Sequence, residues 1–320
     1  MNAMKLAVPL LVALAYGPSQ GLAAPILGSD LASFAVLGHS TVTNTNPATN
    51  LPFGPTTITG NVGDWATSVA ANAVVGLLPT QVLSGTIYAG PALGTTTQAL
   101  AQTQLGIAKS NLGALGGGTL LPPDLVGLTL YPGVFTVPAG TTNLSGAVTL
   151  NGLGDPNAFW LFQMPSTLIT SPGSVVNLIN TGTGAGVFWN VGSSATLDLT
   201  TSFEGNILAL ASIGLNTGAT IGCGRALANT GAVVMDTNTV SIGCLGTAAA
   251  GSNGLSGQVL AFETISGKFV VADTTRLDTT TQADTVVSLN GVVPEPGTLM
   301  LLGFGLVGLF AFRKRLLPVA

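Results

Sequence analysis

Between Val187 and Gly243 apolar and polar positions recur with a period near 20 residues. Three successive lines read VFWNVGSSATLDLTTSFEG, NILALASIGLNTGATIGCG and RALANTGAVVMDTNTVSIG. Each passes an apolar pair and then an Asx–Thr step: Asp198 before Thr200–Thr201, Asn216–Thr217, and Asp236–Thr237. Each closes on an apolar residue and glycine. Such a repeat, rich in Gly, Val, Ile and Thr, predicts short strands stacked coil on coil, with apolar side chains filling the bore. Gly, Asn and Asp are suited to the corners.

The period changes at Gly90–Leu115. Leu93, Ala101, Leu105, Ala108 and Leu112 recur at three- and four-residue spacing, widened by Ala99, Leu100 and Ile107. Gln98, Gln102, Gln104, Lys109 and Asn111 lie among them. This predicts one amphipathic helix at about 91–115, with Pro91 in its first turn and Gly116–Gly118 as its stop. A single apolar stripe implies that it lies along a solenoid face. A membrane-surface helix is the alternative, but the basic polar face it needs is missing. The β pattern returns from Thr119. The earlier stretch Leu27–Gly63 has strand alternation but is too short for its own core, so it should add coils to one end of the solenoid.

Charged residues make up only 6% of the chain, and the formal net charge is −4. The surface must therefore be coated with Thr, Ser, Asn and Gly. Four basic residues (Lys109, Arg225, Lys268, Arg276) lie between Leu6 and Phe312, which argues against nucleic acid as a partner. The ends read as addresses. Lys5, the apolar run Leu6–Ala15 and Gly21–Ala24 predict a signal peptide at 1–24. A buried N-terminal helix is the other reading. Val293-Pro294-Glu295-Pro296-Gly297, an apolar stretch at 297–312 and the cluster Arg313, Lys314, Arg315 resemble the PEP-CTERM sorting signal of Gram-negative bacteria. That resemblance implies recognition by an exosortase, a transient inner-membrane anchor at 297–312, and delivery to the cell surface or extracellular matrix. Leu316–Ala320 departs from it, because the basic cluster usually ends such a chain.

Cys223 and Cys244 are 21 residues apart, about one coil. In an exported chain they predict a disulfide between neighbouring coils, the alternative being two small unpaired apolar side chains. The Gly/Ala/Ser stretch after Cys244 and the Thr/Asp-rich stretch beyond it predict a partly ordered linker or stalk over 246–293, within which Gln258–Val271 reads as one more strand pair.

The solenoid itself extends over 25–245. The segments Ser33–Gly38, Thr41–Thr45, Thr57–Gly63, Gly85–Tyr88, Tyr131–Phe135, Gly154–Ala158, Val191–Thr196, Gly205–Ala209 and Asn216–Thr220 occur there in that order. Together they resemble the microbial ice-binding protein family. The resemblance implies a mainly β fold, a right-handed discontinuous β-solenoid (a triangular β-helix) with one long α-helix packed alongside. It also implies adsorption to ice through one flat face.

Ice offers a neutral lattice of water, so a binder needs a flat, rigid, uncharged array. Threonine suits this, because its β-branched stem holds one rotamer. The candidate grid is Thr170 and Ser174, Thr200 and Ser202, Thr217 and Thr220, Thr237 and Thr239, with Thr57 and Thr59 as an extension. Thr217-Gly218-Ala219-Thr220 matches the Thr–Gly/Ala–any–Thr/Asn pattern of some family ice faces; the other coils match it loosely.

Catalysis fits the residues poorly. The acids Asp64, Asp124, Asp155, Asp198, Glu204 and Asp236 are dispersed, His39 is the only histidine, and no metal site, calcium ladder or cofactor is expected. Glu204 and Arg225, about one coil apart, read as a surface ion pair, and Asp198, Asn216 and Asp236 as corner residues bonded to local backbone. Trp160 and Trp189 read as core. The competing function is a non-catalytic surface or matrix protein held in exopolysaccharide.

Overall fold

The computed structural model describes residues 24–46, 53–65, 74–90, 95–244, 249–257, 259–263 and 268–272. Short parallel strands stack into a β-solenoid with three faces. The helix face runs through Gly133–Thr136, Phe159–Met164, Gly186–Val191, 206–209, 223–228, Phe34–Gly38, Asn61–Asp64 and Ile87–Tyr88. The second face is a six-stranded sheet: Leu168–Ile169, Ala195–Leu197, Ile213–Leu215, Val233–Met235, Val42–Asn44 and Val74–Val75. The third face contains Thr129–Leu130, Ala147–Asn151, Val175–Ile179, 202–203, 220–221, Thr239–Ser241, Thr57–Thr59 and Val82–Ser84.

The stacking order is not the chain order. Phe34–Gly38 pairs with Thr220–Ala228, so the chain starts against what becomes its last coils and winds outward to Ile87–Tyr88. The helix α1 (Thr97–Ala114) then leads back towards the opposite end. Its 18 residues span about 27 Å, or five to six coil spacings of about 4.8 Å. From Thr119 the coils wind back until Thr239–Ser241 meets Thr57–Thr59. The N-terminal stretch therefore extends one end of the solenoid, as its length predicts.

Burial differs by face. Second-face strands alternate, with Ala195 and Leu197 buried around Thr196, and Val233 and Met235 around Val234. The helix face is buried on both sides, as in Phe34–Gly38, because the bore lies behind it and α1 in front. Phe135, Phe162, Trp189 and Phe203 form an aromatic ladder along the bore, with Phe162 and Trp189 centroids 3.9 Å apart. Trp160 and Trp189 are fully buried, their indole N–H groups donating to Leu130 O and Glu204 O.

Ala101, Leu105, Ala108 and Leu112 of α1 are buried against Leu161, Phe188, Leu208 and Leu227. Two expectations for the helix change. Leu100 and Ile107 are exposed instead of widening the stripe, and Gln98 and Gln102 are buried. Gln102 Nε2 donates to the carbonyls of Ala228 and Asn229, capping strand ends that α1 would otherwise leave dry. Lys109 Nζ similarly donates to Asn190 Oδ1, Val191 O and Leu208 O, and burial pulls its pKa down to about 8. The helix begins at Thr97, six residues after the expected start; Pro91 lies outside the described residues.

The stalk expected from residue 246 does not begin there. Ala249 and Leu255 are buried in the solenoid core. Val259–Glu263 and Lys268–Ala272 form a hairpin that pairs with Ala24–Pro25. Residues 273–293 lie outside the described residues, as do 1–23 and the sorting segment 294–315. The disulfide Cys223–Cys244 is formed, with Ser252 Oγ 3.2 Å from Cys244 Sγ. It closes a chain segment of 21 residues, so replacing both cysteines with serine should cost about 3 kcal/mol. Chemical denaturation of the exported protein measures this; an unchanged midpoint would contradict it.

The expected Glu204–Arg225 ion pair is absent. Arg225 is fully buried and donates inward to Asn206 Oδ1, Ala32 O, Gly254 O, Asn253 O and Asn253 Oδ1. The reason is register: Asn206, not Glu204, faces Arg225 across the coils. Burial without a carboxylate partner pulls the guanidinium pKa down to about 9.

Candidate functional site

The third face has the regularity that a lattice binder requires. Backbone pairing places Ser202 beside Thr220, Thr220 beside Thr239, and Thr239 beside Thr57. Val175 and Ala147 continue this outward column. Two residues further along each strand a second column runs through Thr129, Thr149 and Asn177, and again through Ser241, Thr59 and Ser84. Between these groups lie Glu204 and Gly222, where the register slips after Phe203. The apolar partners Leu130, Val148, Leu150, Val176, Phe203, Ile221, Val240 and Ile58 point into the bore. The columns repeat at about 4.8 Å along the axis and about 6.7 Å along each strand.

The eight hydroxyl residues predicted from sequence divide into three groups. Ser202, Thr220 and Thr239 stand in the outward column. Thr200 and Thr217 sit on the rim between the second and third faces, where Thr200 Oγ1 donates to Leu199 O and Thr217 Oγ1 to Asp236 Oδ2. Thr170, Ser174 and Thr237 are buried and cannot meet a surface. Thr170 Oγ1 bonds Thr201 Oγ1 at 2.8 Å, and Ser174 Oγ donates to Leu144 O and Ser171 O. Thr237 Oγ1 donates to Asp236 O and accepts from Gly218 N.

Corner geometry accounts for Ser174; Thr170 takes the inward place after Ile169 on its second-face strand, and Thr237 is buried although its corner matches that of exposed Thr200. Gly173, Thr200, Gly218 and Thr237 all have positive φ, from 53° to 72°. The next position along the chain then turns inward: Ser174, Thr201, Ala219 and Asn238 are buried. The four-residue pattern Thr217–Thr220 therefore crosses a corner, and only its last residue lies on the face. Thr129, Thr149, Asn177, Ser241 and Ser84 were not singled out from sequence. Their signal is the strand alternation itself, as in Thr57-Ile58-Thr59 and Thr239-Val240-Ser241.

The corner acids act locally. Asp198 accepts from Asn216 Nδ2 and Leu199 N, which hold its carboxyl below the ordinary value. Asp236 takes the Thr217 hydroxyl. Among the described residues no group of three or more His, Cys, Asp or Glu is placed to hold a metal ion. Also among the described residues, no helix is long and apolar enough to cross a membrane.

Residues 36–241 match the family model described as ice-binding-like, and residues 292–315 match the PEP-CTERM protein-sorting motif, which marks an exported, cell-surface protein. An ice-binding protein of Nostoc sp. (strain HG1) is 40% identical over 286 residues, 88% of this chain and 85% of that protein. An ice-binding protein of Colwellia sp. is 30% identical, covering 75% of this chain and 93% of its own length. Among solved structures, an ice-binding protein from an Antarctic biological consortium superposes with a TM-score of 0.53 at 30% identity, covering 74% of this chain and 96% of that one. The ice-binding protein 1 domain of Shewanella frigidimarina gives a TM-score of 0.56 at 27% identity, with 69% and 98% covered. With the solenoid core matched by the family model and most of the chain matched by the Nostoc protein, the chain belongs to the ice-binding-like family.

Proposed function

We propose that this chain adsorbs to ice through its third face and performs no catalysis. The observation that carries the reading is the pair of in-register outward columns of Thr, Ser and Asn, whose single ionisable member is Glu204. Stacked strands fix the backbone of each column, and β-branched threonine keeps its rotamer, so ordering water along the face costs little side-chain entropy. Ser202, Thr220, Thr239, Thr57 and Thr59 form the centre of the contact, with Thr200 and Thr217 on its rim. Adsorbed molecules pin a growing crystal front, so the activity is a change in ice growth with no turnover.

The sorting motif supports export in a Gram-negative bacterium, with residues 297–312 as a transient inner-membrane anchor and exosortase as the processing partner. The same motif favours a second reading, a structural protein held in the exopolysaccharide matrix without ice activity. The test is direct. The purified exported protein, added to ice growing in a capillary, should facet the crystals and slow recrystallisation. Crystals that grow as in buffer, together with retention on matrix polysaccharide, would favour the second reading.

A further inference from the structure

The middle of the second outward column is built differently from its ends. Threonine, serine and asparagine fill it elsewhere, but Gly222 contributes no side chain and Glu204 stands beside it at the register slip. The Glu204 side chain lies over Gly222: a Cβ on that glycine would be 3.0 Å from Glu204 Oε1. The carboxyl is thus held down against the sheet. Its Oε2 is buried and has no hydrogen-bond partner among the described residues.

We infer that Glu204 fills the gap left by Gly222 as a neutral carboxyl group, and that its ionisation weakens adsorption of this face. The inference rests on the ice-binding reading of the third face.

Among the described residues no neighbour offsets a charge at that point. The strand Val175–Ile179 presents Val175, Asn177 and Ile179 outward, and 220–222 presents Thr220 and Gly222. Trp189, from the helix face, donates its indole N–H to the Glu204 carbonyl and not to the carboxyl. Arg225 is committed to Asn206, Ala32 and 253–254, and Cys223 is in the disulfide. On these elements no cation and no second carboxylate faces Glu204. Desolvation, offset only in part by a bond from the Cys223 N–H, pushes its carboxyl up to about 7. A neutral carboxyl can both donate to and accept from ordered water. A carboxylate only accepts, and it must shed hydration to lie against an uncharged lattice.

The linkage to folding has a definite sign. The folded-state value lies above the ordinary glutamate value of 4.5, so the native state binds more protons than the unfolded chain in between. The contribution of Glu204 to stability is therefore full below about pH 4.5, is lost as pH rises to about 7, and is flat beyond.

The test is recrystallisation inhibition by the exported protein near 0 °C from about pH 5.5 to about pH 8.5, alongside E204Q and E204A. The wild type is expected to lose at least about half of its activity across this range. E204Q should show no pH dependence of its activity and lack the decline in unfolding midpoint. E204A should be weaker than E204Q at every pH, because the gap reopens. Circular dichroism across the series confirms that folded protein is compared. Wild-type activity that is flat with pH, or E204A equal to E204Q, overturns this inference alone. Absence of activity at every pH overturns the ice-binding reading and this inference with it.

Discussion

Replacing Arg225 with methionine is expected to lower the stability of the domain by about 3 kcal/mol or more, from the acceptors it leaves unsatisfied. The guanidinium is fully buried and has no anionic partner among the described residues. Its burial is unfavourable in isolation, and the depressed pKa is the mark of that cost. Its removal is worse, because Ala32 O, Gly254 O and Asn253 O all converge on it. Methionine fills similar volume but leaves these carbonyls dry, at about 1–3 kcal/mol for each unsatisfied group. Arg225 joins three distant parts of the chain: the segment before the first long strand, the coil at Asn206, and the loop at 253–254. Denaturation of the exported protein should show the loss, with R225K intermediate because an ammonium cannot reproduce the fork. Truncation after Cys244 removes one of these three parts, the loop with the Asn253 and Gly254 carbonyls, and should not add fully to R225M, since both break one network. A change below about 0.5 kcal/mol in R225M would mean that water satisfies the carbonyls.

Arg225 also marks where the sequence stops being legible. The repeat from Val187 to Gly243 reveals stacked coils, because a bore filled by every second residue leaves a periodic trace. The one break in period reveals α1. The return of the N-terminal coils to the far end follows from their being too short to bury a core. Pairing of Cys223 with Cys244 follows from their separation of about one coil. The arginine is different. It lies where a surface ion pair is the default reading, and its acceptors are carbonyls at Ala32, Asn253 and Gly254, which carry no residue-type signal. The Gly/Ala/Ser composition after residue 245 suggests a linker for the same reason. Ala249 and Leu255 are buried by tertiary contacts that composition does not encode. The hydroxyl grid is legible in part. Thr220 and Thr239 are found through the corner motif, but Ser174 is drawn in with them, because the left-handed corner residue before it reverses the inward–outward alternation, and Thr170 and Thr237 are drawn in because residue type alone does not tell a buried threonine from an outward one.

Thr220→Tyr should abolish ice shaping while leaving the fold intact. Thr220 stands between Ser202 and Thr239 in the outward column, with neighbours about 4.8 Å away on each side. Its hydroxyl makes only a 3.5 Å contact with Thr201 O, so the native state loses little, within about 0.5 kcal/mol for an outward position. A tyrosine ring stands several ångströms above the threonine methyls, and a flat crystal face cannot meet the column on either side of it. The expected loss is at least about tenfold in ice-growth inhibition, the equivalent of about 1.4 kcal/mol of adsorption free energy. Thr196→Tyr makes the same change at the outward position of the second face, between Ile169 and Gly214. It should leave activity unchanged, because that face mixes Ile169, Gly214, Val234 and Val75 with its threonines and presents no continuous hydroxyl column. Melting curves for both variants separate loss of the face from loss of the fold. If T196Y removes activity and T220Y does not, the second face carries the contact, and the hydroxyl columns of the third are only the solvent coat of a solenoid.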